Sequence, residues 1–291
     1  MPWCPKLRVA PIASLTVASL VALLLASSPP ERKAQAGPAA GAAERLVVFE
    51  VFHSTLCASC AVSGRHVDVL ATDYAAAGAP VLFLEHDVDR PAGNRLDRWF
   101  DAHGTAPCGV PLVLVDSGWR ETCGERDDYR TDYAALVDEA LAHPATATIR
   151  ASFERQDTDV VVTAEVTNGN PHALGFEDWA TVNALVFERA RVVHTNRIVR
   201  AVAHTEIVAD LMPGATGSYT VRLPEVPVTD WGQAGVLVIL DHRSDPDGER
   251  FAALQSALAV EGGLEPTPAP TPQLDAGRAL LPLVVRGPGA R

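Results

Sequence analysis

LVVFEVFHSTLCASC, residues 46–60, is the stretch that decides the fold of this chain. It opens with an apolar, β-branched run of the kind found in strands buried on both faces of a sheet. Cys57 and Cys60 follow the run, and apolar side chains then recur at helical spacing as far as Tyr74. The sequence therefore predicts a buried strand that leads into a helix, with a cysteine pair where the helix begins.

The position of the cysteine pair suggests redox chemistry. The N-terminus of a helix carries partial positive charge and unpaired N–H groups, which stabilise a thiolate on the first cysteine. The second cysteine lies one turn deeper, within bonding reach of the first. We therefore expect Cys57 to attack a substrate disulfide and Cys60 to resolve the mixed disulfide. The alternative is a zinc site, for which His53 and His66 are the nearest additional ligands.

Working outward, the strand–helix pattern continues to about residue 145. A second apolar run predicts another buried strand, and a short amphipathic segment predicts a helix. Two further strands flank the turn signal Asp116-Ser117-Gly118, and a last helix follows. These elements cover residues 80–86, 94–103, 111–115, 119–123 and 132–142. Residues 45–145 are thus expected to form an α/β domain.

The pattern changes after Pro144. Apolar and polar residues alternate in six or seven short segments, such as TVNALVFERARVV (residues 181–193), and turn signals such as Asp245-Pro246-Asp247-Gly248 separate them. This spacing is typical of an antiparallel β-sandwich, which we place at residues 146–262. A Pro-rich spacer and a C-terminal tail, residues 263–291, complete the chain.

The N-terminus has the features of an export signal. Lys6 and Arg8 precede an apolar run, so residues 1–36 are expected to be a signal peptide, with residues 37–44 as a linker. The alternative is an uncleaved membrane anchor formed by residues 9–28. Either way we expect an exported protein in the periplasm, at the cell surface or outside the cell. Its termini could then associate with a membrane or surface.

Composition excludes several classes of protein. With 291 residues and 47% apolar side chains, the chain can bury substantial cores. Its net charge of −12 argues against a nucleic-acid binder, which needs a basic face. Its only lysines, Lys6 and Lys33, lie in the expected leader. Removal of the leader would leave no amine side chain for Schiff-base or phosphate-loop chemistry.

The order strand, CxxC, helix, strand, helix, X-Pro, hairpin, helix resembles the thioredoxin fold. In that family the equivalent proline is cis and lies beside the cysteine pair, where the preceding backbone pairs with substrate. The resemblance implies that Cys57 is the nucleophile, Cys60 the resolving thiol and Pro111 the cis-proline. The chain departs from the family pattern at Leu56, where thioredoxins have tryptophan, and in the apparent absence of the first β-α unit.

Two further expectations rest on this resemblance. Glu50 lies near the place where thioredoxins keep a buried acid that assists the resolving thiol, and the alternative is an ordinary acid at a strand end. Residues 45–262 as a whole resemble exported bacterial proteins of the outer-membrane thioredoxin-fold type, which join a thioredoxin-like domain to an Ig-like sandwich. The segments ALVFERARVVHTNRIVRAV and VLVILDH carry the second half of that resemblance.

Cys108 and Cys123 are expected to form a structural disulfide. Export favours disulfides over free thiols, and the predicted hairpin brings Cys123 close to Cys108. On the chain-entropy account, such a bridge contributes about 3 kcal/mol. The alternative is that Cys108, three residues before Pro111, relays electrons to the cysteine pair.

Several histidines and acids have two interpretations. His53 could lower the pKa of Cys57, although an exposed loop histidine is the preferred interpretation. His86, Asp87 and Asp89 end a predicted strand and are interpreted as a turn rather than a metal site. The histidines of the second half, His194 among them, show no ligand spacing.

The sequence thus favours an exported thiol–disulfide oxidoreductase that exchanges electrons with protein thiols and disulfides. No organic cofactor is implied, because the cysteine pair itself carries the electrons. One alternative is a non-catalytic surface binding module in which Cys57–Cys60 is a static disulfide. A copper-delivery protein is a further alternative, which the two-residue spacing of the cysteines disfavours.

Overall fold

The protein is described by a computed structural model that covers residues 45–90, 95, 96, 100, 109–244 and 250–264. Within these residues the fold is mostly β, with two sheets and two α-helices. The described residues form one compact unit.

The first half has the predicted alternation of strands and helices. Strand β1 is buried along its whole length, and helix α1 packs on one face of it. Helix α2 lies on that same face, and together the elements enclose an apolar core around Phe49, Val67 and Tyr133. The elements are β1 (Val47–His53), α1 (Ala58–Ala76), β2 (Val81–Asp87), β3 (Leu112–Val115), β4 (Arg120–Cys123) and α2 (Tyr129–Leu141).

The predicted hairpin is present, with a short 3₁₀ turn at Asp116–Gly118 between β3 and β4. Leu112 pairs with Cys123 across it. Helix α2 begins earlier than predicted, at Tyr129, because the Asp128 side chain caps it by accepting from the Thr131 amide. The helix predicted at 94–103 lies largely outside the described residues.

The second half consists of strands that pack as two layers. Their facing sides enclose a second apolar core, with Val162, Val186 and Leu240 at 0% exposure. The strands are β5 (Ala147–Gln156), β6 (Asp159–Asn168), β7 (Thr181–Glu188), β8 (Ile198–Glu206), β9 (Thr216–Leu223), β10 (Ala234–Arg243), β11 (Phe251–Leu258) and β12 (Val260–Glu261).

One prediction for this half is wrong. The segment from Thr181 was expected to continue as a strand through Val193, but β7 ends at Glu188. A loop over Arg189–Arg197 follows, and a strand that was not predicted, β8, begins at Ile198. The apolar pair Val192-Val193 extended the predicted strand too far, because both residues lie in the loop with partly buried side chains.

Strand β8 joins the two halves of the chain. It pairs antiparallel with β7 and meets β2 in parallel through Glu85 and Ile198. One eight-stranded sheet therefore runs in the order β11-β10-β7-β8-β2-β1-β3-β4, and a smaller sheet has the order β12-β5-β6-β9. The loop before β8 is thereby held next to the end of β1, where the cysteine pair lies.

An apolar cluster spans the junction between the halves. Val48, Leu82 and Leu84 on β1 and β2 pack with side chains from β7, β8, β10 and β11, including Leu185, Leu237 and Ile239.

Among the described residues no helix is both long and apolar enough to span a membrane.

Candidate active site around the cysteine pair

Cys57 and Cys60 form a disulfide at the start of α1, with their Cα atoms 5.2 Å apart. Cys57 is the N-cap residue, and its Sγ accepts from the Cys60 amide at 3.1 Å. The Ser59 hydroxyl lies 3.2 Å from the same sulfur. Cys57 is partly exposed whereas Cys60 is fully buried. Only the first cysteine is therefore open to solvent, and its sulfur lies among hydrogen-bond donors.

The loop that contains Pro111 lies against this sulfur. The Val110–Pro111 peptide bond is cis, which is the isomer that the resemblance to thioredoxins implies. The Val110 carbonyl oxygen is 3.7 Å from Cys57 Sγ. The structure therefore brings Pro111 together with the cysteine pair.

Asp89 holds the backbone that leads into the pair. Its carboxylate accepts from the Ser54 hydroxyl at 2.8 Å and from the amide and hydroxyl of Thr55, both at 2.7 Å. The hydrogen bonds from Thr55 lower the pKa of Asp89. Leu56 follows this anchored turn with its side chain 93% exposed. An exposed apolar side chain thus stands directly beside the accessible cysteine.

Behind the pair, a buried chain of hydrogen bonds links β2, β1, α1 and α2. His53 Nδ1 lies 2.7 Å from Glu85, and its Nε2 lies 3.1 Å from the Ser63 hydroxyl. Ser63 Oγ in turn lies 2.9 Å from the Tyr133 hydroxyl. Ser63 is three residues after Cys60, on the buried face of α1. These hydrogen bonds therefore fix the first turns of α1 against the sheet.

The pKa shifts indicate which groups donate and which accept in this chain of hydrogen bonds. Burial lowers the pKa of His53, and the neighbouring Glu85 offsets only part of that effect. Burial alone would raise the pKa of Glu85, but hydrogen bonds from His53 and Thr195 bring it below its usual range. Burial raises the pKa of Tyr133 to about 12. Neutral His53 thus donates from Nδ1 to ionised Glu85, and its Nε2 accepts from Ser63.

The loop before β8 completes the site from the second half of the chain. His194 Nε2 donates to the Ser54 carbonyl at 3.0 Å, and the His194 ring packs edge-on against His53. The amides of His194 and Thr195 donate to Glu85 at 2.9 and 3.0 Å. Gly64 on α1 permits this close approach, because a Cβ there would lie 2.6 Å from the His194 Cβ. The β-rich half is therefore part of the site.

Glu50 lies elsewhere. It occupies the face of β1 opposite to α1, where its carboxylate bonds His86 at 2.9 Å and Arg95 at 3.0 Å. Arg95 also bonds Asp241 on β10, at 2.6 Å. Burial would raise the pKa of Glu50, but Arg95 and His86 hold it below its usual value. The structure thus does not bring Glu50 to the cysteine pair, and its role toward Cys60 stays a prediction.

The other predicted disulfide is described at one end only. Cys123 is disulfide-bonded, whereas Cys108 lies outside the described residues, so their pairing stays a prediction.

His86 is buried, where it contacts Glu50 and stacks on Phe52. Within the described ranges, no group of three or more His, Cys, Asp or Glu side chains is placed to hold a metal ion.

Sequence reasoning missed most of the residues that support the pair. His53 was expected to be an exposed loop residue, and this was wrong, because it is the last residue of β1 and is completely buried. Glu85 offered a signal, since an acid inside an apolar strand needs a buried partner. His194 offered none, because its position depends on the pairing of β8 with β2.

Comparisons with known proteins add limited similarities. The sequence matches no family model and no curated protein. Among solved structures, a thioredoxin-like protein from Porphyromonas gingivalis is 14% identical with a TM-score of 0.25, over 33% of this chain and 78% of that one. The sporulation control protein Spo0M from Bacillus subtilis is 11% identical with a TM-score of 0.27, over 41% and 50% of the two chains. β-Glucosidase 3B from Thermotoga neapolitana is 11% identical with a TM-score of 0.22, over 66% and 34%.

Proposed function

We propose that this protein is a thiol–disulfide oxidoreductase that exchanges electrons with protein substrates through Cys57 and Cys60. The observation that carries the proposal is the unequal exposure of two bonded cysteines at a helix N-terminus. Cys57 is reachable from solvent, whereas Cys60 is fully buried. A disulfide with only a structural role has no need of an accessible sulfur beside hydrogen-bond donors.

The exchange follows from this geometry. In the reduced protein the Cys57 thiolate attacks a substrate disulfide, forms a mixed disulfide and releases one substrate thiolate. Cys60 then attacks Cys57 Sγ, which re-forms the Cys57–Cys60 bond and releases the second substrate thiolate. Two electrons pass to the substrate, and the same steps in reverse oxidise a substrate dithiol. The Cys60 amide and the Ser59 hydroxyl favour the thiolate on Cys57.

Part of the substrate site is outlined by backbone and apolar groups. The Val110 carbonyl lies beside Cys57 Sγ, and the exposed Leu56 directly precedes Cys57 in the chain. An extended polypeptide could pair with the backbone at Val110 and cover Leu56. These contacts favour protein substrates over small thiols.

The test is a redox titration combined with a trapping variant. The purified protein is equilibrated in glutathione buffers, alkylated and read by mass, and Cys60→Ser is incubated with a peptide that contains a disulfide. We expect a reversible two-electron couple at Cys57–Cys60 and a stable mixed disulfide on the Cys60→Ser variant. The matched Cys57→Ser variant should trap nothing at Cys60, because that thiol is buried.

A pair that stays oxidised in every buffer, with no trapped peptide, would contradict the proposal. Cys57–Cys60 would then be a static bridge, and the protein would belong with non-catalytic binding modules. Equal trapping by both single variants would refute the assigned roles of the two cysteines.

We also propose a finer class and a location. The order of elements in residues 45–145, followed by two facing sheets, supports a thioredoxin-like domain joined to an Ig-like sandwich. The basic and apolar pattern of residues 1–36 supports export. The proposed location has a direct test. Expression of the full chain in a bacterium, followed by fractionation and mass analysis of the N-terminus, should recover the protein outside the cytoplasm.

A further inference from the structure

A candidate for a second site lies along the C-terminal half of α1, away from the cysteine pair at the start of the helix. A cavity of about 490 Å³ opens between α1 and the Arg189–Arg197 loop. Its apolar wall consists of Val67, Ala71 and Phe83, and its opposite wall is formed by the loop. The loop is held in place independently of any ligand, because the Asn196 amide donates to Asp68 at 3.0 Å.

Three arginines line this cavity, and only one of them is neutralised. Arg191 forms an ion pair with Asp68, the one acidic residue among the lining side chains. The guanidinium groups of Arg189 and Arg197 make no hydrogen bond or ion pair within the described part of the chain. Two unpaired cations therefore share one concave surface in a protein whose net charge is −12.

The two unpaired arginines act on each other. Burial, together with the charge of Arg189, lowers the pKa of Arg197, and the carboxylate of Asp68 offsets only part of that effect. An anion placed between the guanidinium groups would remove this repulsion and satisfy donors that have no partner. Guanidinium groups bind phosphate oxygens in a bidentate manner, with a geometry that suits two arginines on one oxyanion.

We propose that this cavity binds the phosphate group of a small organic phosphate, held by Arg189 and Arg197. The apolar wall formed by Val67, Ala71 and Phe83 lies within the same cavity and would contact the organic part of the ligand. Asp68 on α1 holds Arg191 in an ion pair, so that Arg189 and Arg197 are left to receive the anion.

The test is calorimetric titration of the protein with phenyl phosphate and with inorganic phosphate at low ionic strength. We expect saturable binding of phenyl phosphate with a stoichiometry of one. Loss of one charge-assisted contact in Arg197→Gln or Arg189→Gln should weaken binding roughly ten- to a hundredfold. Arg65→Gln removes an exposed charge from α1 outside the cavity and should bind like the wild type.

Three results would overturn the proposal: no saturable binding by the wild type, unchanged affinity in both arginine variants, or the same loss in Arg65→Gln. Inorganic phosphate that binds as tightly as phenyl phosphate would show that the free ion is the ligand and would refute the organic part of the proposal. Arg189 is exposed, so Arg189→Gln should fold even where Arg197→Gln does not. The binding readout is independent of the redox state of the cysteines, so the outcome does not depend on the proposed oxidoreductase function.

Discussion

Cys57 and Cys60 share one bond but have different surroundings. Cys57 Sγ has the Cys60 amide at 3.1 Å, the Ser59 hydroxyl at 3.2 Å and access to solvent. Cys60 faces the interior, one turn before Ser63 and its buried partners. At the scale of single residues, burial and hydrogen bonding therefore distinguish the two cysteines, and the proposed exchange accordingly assigns the attack to Cys57 and the resolving step to Cys60.

His53 should make stability depend on pH. Burial holds its pKa below 6.5 in the folded protein, so the unfolded chain binds a proton first as the pH falls. The contribution of neutral His53 to the free energy of unfolding is thus complete above pH 6.5 and is lost as the pH falls from there toward the lower folded-state pKa. The slope from this one group is at most about 1.4 kcal/mol per pH unit.

The variant His53→Gln measures this contribution. Glutamine can still donate to Glu85 and accept from Ser63, but it does not titrate. Urea unfolding between pH 5 and pH 8 should give a shallower loss of stability in the variant than in the wild type. The difference should persist in 0.5 M NaCl, because a buried group is screened less than surface charges. Parallel profiles for the two proteins would show that His53 titrates alike in the folded and unfolded states.

Among the elements, the Arg189–Arg197 loop is the one that ties the two halves of the chain at the site. It packs closely against α1 at Gly64. The His194 amide donates a hydrogen bond to Glu85, and the His194 ring donates one to the Ser54 carbonyl. These contacts depend on the pairing of β8 with β2, which places the loop beside the end of β1. The loop thus borders both the proposed redox site and the proposed phosphate site.

Gly64→Ala should push this loop away from the helix. The added Cβ would lie 2.6 Å from the His194 Cβ and 3.0 Å from the His194 carbonyl oxygen. We expect a net destabilisation of about 1–3 kcal/mol, because backbone overlap outweighs the gain of up to about 1 kcal/mol in helix propensity. Denaturant unfolding of the purified variant measures this change.

A double-mutant cycle with His194→Gly isolates the contact. Removal of the His194 side chain takes away the Cβ overlap, so Gly64→Ala should cost about 1 kcal/mol less in that background. Strictly additive effects would mean that the helix and the loop do not press on each other at this point.

The sequence predicted the strands that are buried on both faces and missed the polar loop between two of them. Apolar runs such as Leu46–Phe52 and Pro80–His86 predict strands, because an unbroken run of apolar residues indicates burial on both faces of a sheet. The loop and β8 depend on a long-range pairing between Glu85 and Ile198, which leaves no local signal. For the same reason Cys57, Cys60 and Pro111 could be found from spacing, whereas His53 and His194 required the folded arrangement.

At the scale of the whole molecule, one sheet and one apolar cluster cross from the first half to the second. Val48, Leu82 and Leu84 would be exposed if β7, β8, β10 and β11 were removed. Buried charged side chains also connect the two halves, because Arg95 forms ion pairs with both Glu50 on β1 and Asp241 on β10. An unpaired buried charge is strongly unfavourable, so the loss of either half would destabilise the other.

Leu237→Ala tests whether the two halves unfold as one. Leu237 lies on β10, is fully buried and packs in the cluster that includes Val48 and Leu84 of the first half. Truncation should reduce the free energy of unfolding by about 2–5 kcal/mol. In a single cooperative unit, the slowest-exchanging amides of β1 and β6 should both lose that same amount of protection in hydrogen exchange, although neither strand contains the substituted residue. Val208→Ala, at a side chain that is 75% exposed, should change neither strand. If β6 lost its protection while β1 kept the wild-type value, the continuous sheet would join two units that unfold separately.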